Sequence, residues 1–161
     1  MRSLLVTVVA SLAVGVSVPA LAAGGGGGGG SMEQSRPVDP TYTRAKSMIE
    51  AKDYRGALPL LQQVVAKDPK NADAYNLMGY ATRKSGDAAG SLQYYQQALA
   101  VDPRHIGAYE YLGEAYLMLN RLPDAEHQLA RLDSLCTFGC TEYRMLKTAI
   151  ADYKAGKRPT N

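Results

Sequence analysis

The sequence predicts an all-α protein, a right-handed α-solenoid of three helix-turn-helix repeats closed by a C-terminal capping helix. Three observations carry that prediction. Unrelated features recur 34 residues apart: Asp68-Pro69 returns as Asp102-Pro103, Gly79 as Gly113, Tyr75 as Tyr109, and Ala57, Ser91 and Ala125 follow one another at the same interval. Each period holds two stretches with apolar residues at helical spacing; in the second period Tyr75, Met78, Gly79 and Thr82 share one face and Leu92, Tyr95, Ala98 and Leu99 another. Turn signals fall at fixed offsets, Lys52-Asp53 and Gly86-Asp87 within repeats and Asp-Pro between them. An aspartate caps the helix that follows it, and proline disfavours a helical residue before it. One such hairpin cannot bury its apolar face alone, so the copies must stack, and three is about the smallest stable number.

Residues 1–22 read as a secretory signal peptide. Arg2 supplies a positive start, Leu4 to Val18 is uncharged and almost wholly apolar, Pro19 breaks the run, and Ala20-Leu21-Ala22 is a small-x-small cleavage site. The run is shorter than the roughly 20 residues of a membrane span, and no cysteine follows it to carry a lipid. The expectation is an exported chain with no membrane span in its mature part. Removing Arg2 from 18 basic residues leaves 17 against 15 acidic ones, without the basic field of a nucleic-acid binder. Residues 23–37 form a Gly-rich flexible linker around Gly24 to Gly30, with a reach on the order of 20 Å. A phosphate-binding loop would need a preceding strand and a following helix with a lysine, and the sequence has neither.

The repeats occupy residues 38–71, 72–105 and 106–139. The second reads Tyr75-x2-Met78-Gly79-x2-Thr82, then Ser91-x3-Tyr95, Ala98 and Pro103; the third reads Tyr109-x2-Leu112-Gly113-x2-Tyr116, then Ala125-x3-Leu129. The first is weak at its start, with Thr41 and Arg44, and regular afterwards at Ala57, Leu61, Val64 and Pro69. Over residues 38 to about 135 this pattern resembles the tetratricopeptide repeat (TPR) family. Gly79 and Gly113 are expected where helices approach closely. Pro59 falls inside a helix, where it removes a hydrogen bond or bends the axis, whereas Pro123 sits near a helix start. The third repeat has a degenerate end, Cys136-Thr137-Phe138-Gly139-Cys140, in place of Asp-Pro. The capping helix, within 140–156, buries Leu146, Ala149, Ile150 and Tyr153 and stops at Gly156; 157–161 is a charged tail.

No catalytic constellation, metal site or cofactor follows from the residues. His105 and His127 read as surface histidines. Cys136 and Cys140 are a disulfide candidate, since export places them where disulfides persist, and so short a ring contributes about 2 kcal/mol. Two free thiols and a redox or copper-handling pair stay open as alternatives.

The resemblance implies a binding groove lined by the first helix of each repeat. Its positions are Tyr42, Lys46 and Ile49 in the first; Asn76, Tyr80, Arg83 and Lys84 in the second; and Glu110, Glu114, Leu117 and Met118 in the third. The groove is expected to be basic in the middle and acidic toward the third repeat. Tyrosine, arginine and asparagine suit a peptide or protein partner. The family's best-known mode holds a ligand's terminal carboxylate with lysine, asparagine and arginine. Tyr42, Lys46, Leu77, Gly107 and Tyr111 occupy those positions here, so that clamp is not expected. The implied role is protein–protein interaction, as in the small exported TPR proteins of the Gram-negative periplasm or extracellular space. A self-assembling structural module, a homo-oligomer joined through its apolar ends, is the other reading.

Overall fold

In the computed structural model, residues 39–137 and 139–159 are described; the signal-peptide and linker assignments at 1–37 lie outside them. Seven helices follow one another: α1 (Pro40–Glu50), α2 (Tyr54–Lys67), α3 (Ala72–Lys84), α4 (Ala88–Val101), α5 (Ile106–Met118), α6 (Leu122–Leu135) and α7 (Thr141–Lys154). There is no strand among the described residues, and none of these helices is long and apolar enough to cross a membrane.

The turn inside each repeat has one backbone recipe. Lys52, Gly86 and Asn120 adopt left-handed conformations with φ of 62°, 100° and 58°. Around each, two N–H groups return to the end of the preceding helix: Lys52 to Ile49 and Asp53 to Met48, Gly86 to Arg83 and Asp87 to Thr82, Asn120 to Leu117 and Arg121 to Tyr116. This is the Schellman closure, which satisfies carbonyls that a helix end leaves open. Asp53 and Asp87 then cap the next helix by accepting from the N–H groups of Gly56 and Gly90. Arg121 offers no such cap and pairs instead with Asp124 (2.9 Å). Between repeats, Asp68 and Asp102 close α2 and α4, and their carboxylates accept from Lys70 and Arg104 N–H.

Consecutive helices pack, and α1 touches α3, α3 touches α5, and α5 touches α7, whereas α2, α4 and α6 do not touch one another. The layer of first helices is therefore the tighter one, so the stack curves with α1, α3, α5 and α7 on its concave side. Around α1 to α3 the core is built from Ala45, Ala57, Leu61, Val64, Ala74 and Met78. The second cluster joins Tyr95 to Leu112, Tyr116 and Leu132 and is closed by Leu146 and Ile150 of α7. Complete burial of one of these large side chains stabilises by roughly 1.5–3 kcal/mol.

Three sequence expectations change in detail. Gly79 and Gly113 are buried, but what fills their missing side-chain space is a neighbouring side chain. A Cβ would stand 2.5 Å from the Tyr95 ring at Gly79 and 2.5 Å from Leu146 Cδ2 at Gly113. Helix α2 runs through Pro59 without interruption, because the proline lies on its exposed side near the first turn. And α7 is more than a cap: Tyr143, Leu146, Ala149 and Ile150 sit 34 residues after Tyr109, Leu112, Ala115 and Tyr116. It ends, like the other first helices, in a Schellman closure, with Gly156 at φ 83° and Lys157 N–H returning to Asp152. Structurally it is the first half of a fourth repeat.

Candidate functional site

The concave face is organised by tyrosines around one arginine. Tyr80 of α3 meets Tyr54, the first residue of α2, edge to face with ring centroids 6.0 Å apart, and Tyr111 of α5 at 5.1 Å. Tyr111 in turn lies 6.2 Å from Tyr95. The Arg83 guanidinium sits over both Tyr80 and Tyr111, 5.6 Å from each centroid. It donates to the Tyr95 hydroxyl (3.4 Å) and forms an ion pair of 2.7 Å with Glu114 of the next repeat. Position 12 of each first helix faces its neighbour in the stack; α5 places Leu117 there, and α3 buries an arginine that the following repeat neutralises.

This arrangement sorts the groove residues. Lys46 is exposed, and Tyr42, Tyr80, Lys84 and Glu114 are half-buried, as are Ile49 and Met118. Asn76, Arg83, Glu110 and Leu117, expected as open contact residues, are instead closed off, with Arg83 only 2% and Glu110 3% exposed. The cause is stacking. Gly107 of α5 covers Asn76, and α7 packs beside the α5 face that carries Glu110. The expected basic middle is correspondingly weakened, because Glu114 neutralises Arg83 across the repeat boundary.

Burial sets the titration of the site. It holds Tyr111 up to about 12, with Glu110 adding to the effect, and holds Tyr42 up to about 12, with Asp73 adding. Burial also raises Tyr80, and lowers Lys84 with help from Arg83. For Arg83, burial works downward, but Tyr95 and Glu114 outweigh it and the net direction is upward. Glu110 is pushed up to about 7, first by burial and then by the like charges of Glu114 and Glu142. Its Oε1 and the Asn76 Oδ1 are buried without a hydrogen-bond partner.

Beside this ledge lies a cleft of about 260 Å³. Arg83, Glu114 and Leu117 line one side, Ala149 and Asp152 of α7 another, and residues 157–159 the rest. Tyr54 and the ring role of Tyr111 were missed in the sequence. Tyr54 belongs to a second helix, and its only signal was an aromatic residue directly after the Asp53 cap. His105, expected on the surface, is a structural joint. Its Nδ1 accepts from Ala108 N–H as the cap of α5, so Nε2 carries the proton donated to Asp73 (3.0 Å). That bond is the first cause of the lowered Asp73 pKa. His127 is exposed.

Cys136 closes α6 and Cys140 precedes α7, and the two form a disulfide with Cα atoms 5.5 Å apart. Bonded to each other, neither sulfur is a thiolate free to attack or to ligate.

Two tetratricopeptide repeat models match the sequence, one over residues 42–99 and one over residues 83–150. No curated protein matches it significantly. Three solved structures are similar in fold. The TPR2B domain of yeast Sti1, in its pHsp70 complex, has a TM-score of 0.66 at 16% identity, over 73% of this chain and 95% of that one. The Yersinia enterocolitica type III secretion chaperone SycD, in complex with a peptide of the translocator YopD, gives 0.63 at 17% identity, over 72% and 88%. The first TPR of Spaghetti (RPAP3), bound to the HSP90 peptide SRMEEVD, gives 0.60 at 19% identity, over 69% and 90%.

Proposed function

The chain belongs to the tetratricopeptide repeat family, and on that premise we propose that it is a non-catalytic interaction module holding an extended segment of a protein partner in its concave groove. The observation that carries this reading is the tyrosine ledge. Tyr54, Tyr80 and Tyr111 form a continuous aromatic surface at the centre of the concave face, with Tyr80 and Tyr111 braced from below by the buried Arg83. Rigid aromatic side chains lose little conformational freedom on binding and are the commonest anchors of protein interfaces. Lys84 stands over Tyr80 at 5.6 Å and adds a charge beside the ring. That two similar folds are complexes with peptides supports the choice of ligand class.

The working place of this module is the bacterial envelope, in the periplasm or outside the cell. The apolar run Leu4 to Val18 with its Ala20-Leu21-Ala22 site supports export, and the Cys136–Cys140 bond is of a kind that persists in oxidising compartments.

The test is photo-crosslinking from a benzophenone amino acid at Tyr111 in the native host, read by mass spectrometry. Discrete adducts are expected, and they should vanish when Tyr80→Ala is combined with Lys84→Glu while helicity is unchanged. Arg83 is left intact because its removal would strand Glu114. Adducts that survive the double substitution would move the binding surface off this face.

A further inference from the structure

The α5–α7 end of the groove already holds part of the chain. Gly156 ends α7 in its left-handed turn, and the Lys157 ammonium then pairs with Asp152 (2.8 Å). Lys157, Arg158 and Pro159 thereby form a wall of the cleft whose other walls carry Arg83, Glu114 and Asp152. Without the two tail cations, those walls hold two carboxylates against the single guanidinium of Arg83, which Glu114 already engages. Glu110 lies one helical turn from Glu114, on the same face of α5. It is 3% exposed and has a buried oxygen without a partner. The negative field of this end is thus under-compensated within the repeats themselves, and the chain's own basic tail supplies the missing charge.

We infer that this end of the groove takes up an extended basic segment of a protein partner, and that Lys157-Arg158-Pro159 occupies the position of that segment in the free chain. The inference rests on the interaction-module reading and specifies the partner's chemistry. A lysine or arginine of the partner takes over Asp152 from Lys157. A proline beside it keeps the preceding residue out of the helical region, which suits a cleft filled by extended backbone. An internal occupant lowers apparent affinity by the fraction of molecules in which the site is closed.

The probe is a fluorescein-labelled peptide, Gly-Lys-Arg-Pro-Thr-Asn, titrated against the chain by anisotropy at low salt. Its counterpart, Gly-Glu-Glu-Pro-Thr-Asn, is the charge-reversed control. Neutralising the tail with Lys157→Gln and Arg158→Gln is expected to tighten binding of the basic peptide about fivefold. Moving the same loss of charge to the exposed Lys70 and Arg104, both to Gln, should leave it unchanged. Adding Asp152→Asn to the neutralised tail should return affinity to the starting value, and raising the salt should weaken binding throughout. Equal affinity of the original and tail-neutralised chains, or equal binding of the acidic peptide, overturns the inference. If that happens while Tyr80→Ala with Lys84→Glu still abolishes crosslinking, only the charge assignment falls. If crosslinking also survives, the module reading falls with it.

Discussion

The first two repeats and the α5–α7 end keep one backbone plan by different means. In the first two, closure is local: a left-handed residue, then Asp53 or Asp87 capping the next helix, then Gly56 or Gly90 receiving the cap. The third keeps the left-handed turn at Asn120 but has Arg121 and Asp124 where the others have aspartate and glycine. Its order comes from a distance: Leu146 fills the space above Gly113, Arg83 reaches across to Glu114, and the Cys136–Cys140 bond ties α6 to α7. A repeat can therefore lose its local signals when a neighbour over-determines its position, which is the nearest-neighbour logic of stacked repeats.

The most severe way to break the contrast is Leu146→Ala. Leu146 is fully buried, and nothing else closes the last apolar surface above Gly113. A loss of about 2–5 kcal/mol is expected in urea unfolding. A loss below about 1 kcal/mol would show that α7 is not what holds the third repeat.

Glu110→Gln sharpens the same contrast through pH. The folded pKa of Glu110, about 7, lies above its ordinary 4.5, so the folded state keeps a proton that the unfolded chain releases. Stability should therefore fall as pH rises from about 4.5 to 7 and stay at the lower level above that. The amide removes this dependence, so the variant should match the original at pH 4.5 and exceed it by about 1 kcal/mol at pH 8, after discounting for Arg83 and solvent screening. Parallel denaturation curves at the two pH values measure the difference.

The smallest effects belong to the caps. Asp87→Ala should cost about 1 kcal/mol, since it leaves the Gly90 N–H without its acceptor. Arg121→Ala, at the matching position, should cost no more than about 0.5 kcal/mol, because its exposed ion pair contributes little. Equal costs would mean that the third turn is capped after all.

Most of the fold could be read from the sequence because the period is written redundantly, in glycines, small residues, tyrosines and Asp-Pro turns. The membership of α7 in that period was hidden by Lys147, which stands where Gly79 and Gly113 stand in earlier copies, and by the cysteine loop in place of Asp-Pro. Tyr143, Leu146 and Ala149 carried the signal all the same. The groove was less legible. Family positions name the residues of a face, but exposure depends on the next repeat. Arg83 is buried by partners 12 and 31 residues away in Tyr95 and Glu114, and no local pattern encodes such a meeting. Tyr54 entered from the other class of helix.

Every first helix in this molecule finishes in the same reversed turn, including the last one. Each end is thus a standard coupling that accepts whatever block comes after it. Copying one 34-residue block would lengthen the receptor without redesigning any joint. The longest ligand such an architecture can grip is fixed by counting blocks.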